Sequence, residues 1–293
     1  MQNRSDSNVL GIDVSSYQGT NIDWNQVREA GISFAYVKAT EGCRTSDQCF
    51  QLNVNNSQTA GVLVGAYHYA HPEQNSAEDE AAHFLEALNS VNLNLWPVLD
   101  LESPPQKNST LSGDYLAEWS RTFINIVSSS TGGKVILYTG KWYIDMYEVD
   151  GLSDLPLWIS HYSSYPPPDF AGWAEWLIWQ YTDKGTVNGI SGQVDMNVVT
   201  SLEALQIYLK KKVQINGKPW MDGIVVGVDT YVVWTALKEV KTPFIYKGNG
   251  LMNVNGVDVQ GVVYNGDTYL PWMCLSKNVQ AVPIDGGWNF VVS

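Results

Sequence analysis

Short apolar runs bounded by turn residues recur along the first two-thirds of the chain. They are Gly11 to Ser15, Phe34 to Ala39, Val62 to Ala70, Trp96 to Leu101, Val135 to Tyr138, Leu157 to Ser160, Leu177 to Tyr181 and Val194 to Val198. Runs of this length and composition predict eight buried strands. Between the first five lie segments with helical spacing: Asp23 to Ala30, Phe50 to Ala60, Ser76 to Asn89 and Ser112 to Ser128. Strand alternating with helix predicts parallel βα units. The later strands are separated by loops rich in Pro, Gly and Ser, clearest in Tyr165-Pro-Pro-Pro-Asp169, which leave no room for a full helix each. The expected class is therefore α/β, an irregular (β/α) barrel with eight strands and fewer helices.

Ser201 to Lys212 reads as a helix, its closing lysines suiting the negative end of a helix dipole. It would connect a barrel over residues 1–209 to a smaller α+β domain over 210–293. In that second domain a pattern repeats. Asn216-Gly217, Gly223-Ile-Val-Val226, Asp229-Thr-Tyr231 and Trp234 are echoed by Asn255-Gly256, Gly261-Val-Val-Tyr264, Asp267-Thr-Tyr269 and Trp272. Each unit predicts an Asn-Gly hairpin, a strand, and a second turn leading into a short helix.

Charge sharpens this division. Of a formal net charge of −13 over 293 residues, the segment from Lys210 onward contributes +2, with eight lysines against six acids, and the first 209 residues carry the remaining −15. Such an acidic surface repels nucleic-acid phosphates and anionic lipid, so neither is an expected partner. No apolar run reaches membrane-spanning length, and the opening residues lack the basic-then-apolar pattern of a secretory signal. The expectation is synthesis in a cytoplasm, with Cys43, Cys49 and Cys274 as free thiols by default and a Cys43–Cys49 pair after release from the cell as the alternative. Twelve Trp and sixteen Tyr supply faces that suit sugar rings as well as cores.

The most informative segment is Trp96-Pro-Val-Leu-Asp100-Leu-Glu102-Ser-Pro-Pro105. Side chains alternate along a strand, so Asp100 and Glu102 share one face, at a strand end just before a proline-rich loop, where barrel enzymes gather their chemistry. Asp13 ends the first strand and Asp195 lies in the last, and the first and eighth strands of a closed barrel are neighbours. Taken singly, Asp13 or Asp195 suits a loop or helix cap and Asp100 a structural hydrogen bond. Together the four make a ring of acids, in which crowding raises the proton affinity of at least one. Glycosidic cleavage uses such a pair, one carboxyl protonating the leaving oxygen and another stabilising the sugar cation. Glu102 is the expected proton donor. Glu41 is expected only to pair with Lys38 or Arg44. His68, His71, His83 and His161 lack metal-ligand spacing, and neither a metal nor an organic cofactor is expected.

These residues resemble the family 25 glycoside hydrolases, the lysozymes of many phage endolysins and some bacterial autolysins. The resemblance is carried in order by Gly11-Ile-Asp-Val-Ser-Ser-Tyr-Gln18, Tyr36-Val-Lys-Ala-Thr-Glu-Gly42, Gly65-Ala-Tyr-His-Tyr69, Asp100-Leu-Glu102, Leu137-Tyr-Thr-Gly140, Pro156-Leu-Trp-Ile159, Trp179-Gln-Tyr181 and Val194-Asp-Met-Asn197. It implies hydrolysis of the β-1,4 bond from N-acetylmuramic acid to N-acetylglucosamine in peptidoglycan. It also implies Glu102 as general acid/base, Asp100 as its partner, Asp13 and Asp195 as further pocket acids, and a sugar groove lined by Tyr36, Tyr67, Tyr138, Trp158 and Gln180. Asp100 would either attack directly or orient the substrate's acetamido group. Without the resemblance, Tyr67, Trp158 and Trp179 suit a core equally well. The C-terminal units resemble the copper amine oxidase N-terminal-like repeat, without implying copper, and suit binding of a secondary wall polymer, assembly of copies, or simple stabilisation. The rival readings are a chitinase-like hydrolase and a non-catalytic wall-sugar binder.

Overall fold

A computed structural model of the chain describes residues 1–103, 111–207, 209–226, 229–264 and 267–292. The chain divides into two compact units, Met1–Ile207 and Tyr208–Ser293.

The first unit is a closed eight-stranded barrel. Its strands are β1 (Val9–Val14), β2 (Phe34–Glu41), β3 (Leu63–Tyr69), β4 (Val98–Asp100), β5 (Ile136–Gly140), β6 (Leu157–Ser160), β7 (Ile178–Gly185) and β8 (Val194–Val199). They pair in chain order, and β1 closes the ring by pairing with both β2 and β8. Every pairing from β1 to β7 is parallel, whereas β8 runs antiparallel to both of its neighbours. The reversal matters for the site. The face at which β1 ends is the face at which β8 begins, so Asp195, second residue of β8, lies directly across from Asp13.

Among the described residues five helices pack outside: α1 (Trp24–Glu29), α2 (Phe50–Thr59), α3 (Ala77–Leu88), α4 (Gly113–Thr131) and α5 (Lys141–Tyr147). Side-chain caps set their starts. Asp23, Ser76 and Ser112 each accept a hydrogen bond from a first-turn amide, and α4 stops at Gly132 in the left-handed conformation. No helix of the described residues separates β6 from β7 or β7 from β8, as the Pro- and Gly-rich loops predict. The seven-residue α5 was not expected, being too short for helical spacing to stand out from its aromatics.

Strand alternation divides two cores. Outward side chains such as Ile12, Val37, Leu99, Leu137 and Ile159 join the core formed with the helices. Inward ones fill the barrel in layers: Phe34, Tyr36, Trp96, Val98, Ile136, Trp158 and Ile178. Both faces of a strand are thus buried, which is why the runs read as continuously apolar. Large rings inside so small a barrel demand small partners. At Gly65 a Cβ would meet the Tyr36 ring at 2.3 Å, and at Gly11 the Phe34 ring at the same distance.

The helix expected over Ser201 to Lys212 is absent. Leu202–Ala204 forms one 3-10 turn, and Leu209–Ile215 is a strand. Val213 and Ile215 are buried while Lys212 is exposed and Gln214 half-buried, a period of two that lets this strand pair with Gly223–Val226 and, in parallel, with Gly287–Val292. Three lysines in a row favoured the helical reading, but tertiary pairing outweighs that preference.

The repeat in the second unit is structural. Asn216-Gly217 and Asn255-Gly256 all have positive φ, the requirement of a two-residue hairpin turn. The strand pair Gly223–Val226 with Asp229–Val233 is matched by Val262–Tyr264 with Asp267–Pro271, and the two pairs join through an antiparallel contact in which Val232 faces Leu270. Those two residues are equivalent in the repeat, so the copies relate by an internal two-fold. Each copy then enters its short helix, Ala236–Glu239 or the 3-10 turn Trp272–Cys274. The connecting turns at 227–228 and 265–266 lie outside the described residues. Trp234 and Trp272 pack against this unit's core, Trp272 stacked on Phe290 with ring centres 5.4 Å apart.

Candidate active site

At the end of the barrel where β1 to β7 finish, a cavity of about 230 Å³ opens. Asp13, Asp100, Glu102 and Asp195 all line it, with Lys38, Tyr67, Tyr69, Tyr138, Trp158, Tyr162 and Gln180. Strand geometry explains the gathering. Asp100 closes β4, Glu102 follows two residues on and so keeps the same side, and Asp13 and Asp195 face each other across β1 and β8. The proline-rich loop expected after Glu102 begins at Pro104, outside the described residues. A larger hollow of about 730 Å³, at the opposite end where β6 begins at Leu157, holds none of the four acids.

Of the residues expected to line a sugar groove, Tyr67, Tyr138, Trp158 and Gln180 do line this cavity, but Tyr36 does not. Tyr36 is fully buried one layer below, its ring 4.9 Å from that of Trp158 and its hydroxyl without a partner among the described residues. Alternation gives the face of a strand but not the depth along it: Lys38, two residues nearer the strand end, reaches the cavity instead. Trp179 points outward, among Trp176, His161 and Arg4, and donates its indole N–H to the His161 carbonyl at 2.7 Å. Glu41 pairs with Lys38, as expected, and also with His71. Lys38, Tyr69 and Asn197 were not singled out, although each stands two residues from a chosen one and the same period would have found it. Tyr162, in an irregular Ser- and Pro-rich loop, left no periodic signal.

The polar groups interlock. Asp13 Oδ2 accepts from Asn197 Nδ2 at 2.7 Å and from Gln180 Nε2 at 2.9 Å. Asn197 Oδ1 accepts from Trp158 Nε1 at 2.8 Å, and Gln180 Oε1 accepts from Tyr138 at 2.9 Å and Tyr162 at 2.8 Å. Burial raises the pKa of Asp13, and donors from Asn197, Gln180 and Asp195 offset part of that rise. Burial, then the charge of Asp13, pushes Asp195 up to about 8, and it holds the proton. The same two causes, burial first, push Glu102 up to about 7, against the lowering influence of Tyr138 and Lys38. Asp100 rises well above the usual carboxylate range through burial and then the charge of Glu102, and its Oδ1 has no partner among the described residues.

Among the described residues no three His, Cys, Asp or Glu side chains are arranged to hold a metal ion. The arrangement can instead donate a proton near neutral pH and hold negative charge beside it, the two needs of glycosidic cleavage. Asp13→Asn should remove the charge that helps Glu102 retain its proton. The alkaline limb of the kcat/KM profile should then move to lower pH by about one unit; an unmoved limb would detach Asp13 from the acid.

Fold and site together define a barrel glycoside hydrolase. Residues 12–190 match the model of the glycosyl hydrolases family 25. Lysozyme M1 of Streptomyces globisporus is 36% identical over 199 residues, 65% of this chain and 67% of that protein. Among solved structures, the bacterial lysozyme from Streptomyces coelicolor superposes with a TM-score of 0.61 at 34% identity, covering 67% of this chain and 94% of that one. The Clostridium perfringens spore cortex lytic enzyme SleM gives 0.68 at 24% identity over 100% of both chains, a likeness of fold that includes the second unit. The chain belongs to glycosyl hydrolases family 25.

Proposed function

We propose that this enzyme is a muramidase, cutting the β-1,4 bond from N-acetylmuramic acid to N-acetylglucosamine in bacterial peptidoglycan with Glu102 as general acid/base. One observation carries the reading: four carboxylates from three parts of the chain line a single cavity, and Glu102 among them keeps its proton to about pH 7. The lysozyme among its relatives supports the same substrate. Glu102 protonates the leaving oxygen and then, ionised, draws a proton from water. Asp100 offers its unpartnered oxygen to the N–H of the 2-acetamido group. Held by Asp100 in this way, the acetamido oxygen acts as the internal nucleophile, a substrate-assisted route. Ionised Asp13 faces the sugar's developing positive charge. Mass spectrometry of fragments from purified sacculi tests the assignment. New reducing ends on muramic acid are expected; faster cutting of chitin oligomers would overturn it.

To the second unit, whose repeats resemble the copper amine oxidase N-terminal-like module, we assign attachment to the wall, where tethering raises the effective concentration of the barrel at an insoluble substrate. The full chain should pellet with cell walls more strongly than residues 1–207, and equal pelleting would remove the assignment. We assign the chain to a phage-type endolysin, made in the host cytoplasm and released to the wall at lysis. Its three cysteines are unpaired in the fold, which suits a reducing compartment.

A further inference from the structure

The hydrogen bonds under the cavity have a direction, and one group fixes it. The Trp158 indole nitrogen can only donate, so Asn197 turns its oxygen toward it and its amide nitrogen toward Asp13. Asp13 therefore accepts, Gln180 turns its own nitrogen to Asp13, and its oxygen is left facing two tyrosines. Both donate to it, Tyr138 at 2.9 Å and Tyr162 at 2.8 Å. Tyr138 also lines the cavity beside Glu102 and favours the ionised form of that carboxyl. A phenol has one proton, so at any moment Tyr138 serves Gln180 or Glu102. Gln180 is only 3% exposed, and an oxygen so buried is costly to leave without a donor.

We propose that Tyr162 keeps Gln180 satisfied so that the Tyr138 hydroxyl is free to turn to Glu102 whenever that carboxyl is ionised, making the two tyrosines positioning residues for the acid/base. While Glu102 holds its proton, Tyr138 donates to Gln180. When Glu102 has given that proton to the glycosidic oxygen, the Tyr138 O–H rotates to the new carboxylate and Tyr162 alone holds Gln180. Only a hydroxyl rotates; no proton passes between tyrosine and carboxylate. When Glu102 regains a proton from the attacking water, the first arrangement returns. The inference rests on the assignment of Glu102 as general acid/base.

The test is the pH dependence of kcat and kcat/KM on soluble peptidoglycan fragments for the parent, Tyr138→Phe and Tyr162→Phe. The other groups facing Glu102 are Asp13 from β1, Lys38 from β2, Tyr69 from β3, the nearby Asp100, and Asp195 from β8, and neither variant replaces them. Tyr138→Phe removes the donor to ionised Glu102, so the alkaline limb should move up by about one pH unit, with kcat about tenfold lower. Tyr162→Phe should move the limb in the same direction by a smaller amount, although its hydrogen bond goes to Gln180. A parental pH profile with only a raised KM in Tyr162→Phe would reduce Tyr162 to a sugar contact and overturn the proposal, leaving Glu102's role intact. Normal turnover by Glu102→Gln would overturn both.

Discussion

Replacing Glu102 by Gln is expected to cut turnover of peptidoglycan about 10²- to 10⁴-fold while the barrel stays folded. The substitution keeps size and hydrogen-bonding capacity but removes the proton proposed to pass to the leaving oxygen. By the usual conversion, that loss corresponds to about 3–5 kcal/mol of transition-state stabilisation. A substrate whose leaving group departs without protonation, such as an aryl glycoside of the same sugar, should lose far less. Failure to show that contrast would mean that Glu102 acts in some way other than as an acid. Stability supplies an independent check, with a sign that follows from the raised pKa. A carboxyl whose folded pKa exceeds its unfolded value supports the fold below the unfolded value and withdraws that support as pH rises through the folded one. For Glu102 the upper end of that window is about 7. At pH 8 the parent therefore holds an unfavourable buried charge that Glu102→Gln lacks, and the variant should melt higher there than the parent. Catalysis and stability oppose each other at this residue.

How far the sequence discloses this molecule depends on how much of each element is written in alternation. The eight strands are legible because both of their faces are buried, leaving uninterrupted Val, Ile, Leu and aromatic runs. The acids are legible because Asp100 and Glu102 stand two apart at a strand end, a placement with little structural purpose. What alternation does not encode is depth and direction. Tyr36 has the right face but lies a layer below the cavity, and the antiparallel course of β8, which brings Asp195 opposite Asp13, is not visible in Val194-Asp-Met-Asn-Val-Val199. Nor does a local pattern foresee pairing between distant segments. Leu209–Ile215 becomes a strand because Gly287–Val292 lies beside it, and its lysines give no hint of that partner. Tyr162 is the extreme case: its place under Gln180 comes from the path of an irregular loop.

The acids can be held in a tight cavity only if the loops beside it are fixed, and the largest expected loss of stability lies in the device that fixes one of them. Glu80, in α3, is fully buried beneath the turn that leaves β3. Its carboxylate accepts from the His71 backbone amide at 3.1 Å, from Asn75 Nδ2 at 2.7 Å and from His68 Nε2 at 2.7 Å. His68 in turn has Nδ1 at 2.8 Å from the Thr40 hydroxyl. With Nε2 donating to Glu80 and Nδ1 accepting from Thr40, the imidazole is neutral, and burial indeed depresses its pKa despite the carboxylate beside it. Glu80→Ala strands three donors at once, that of His68 fully buried, and removing one partner from such a cluster costs about 3–5 kcal/mol. Glu80→Gln restores one acceptor oxygen but adds an amide donor, so it should recover only part of the loss. Chemical denaturation would measure both. Since the folded pKa of His68 lies below its unfolded value, parental stability should fall as pH drops below about 6.5, where the unfolded histidine takes up a proton that the folded one resists. Replacing His68 with a neutral residue of similar volume should flatten that part of the profile. If Glu80→Ala melts with the parent, the turn is held by other contacts, and the rigidity of this side of the cavity has a different origin.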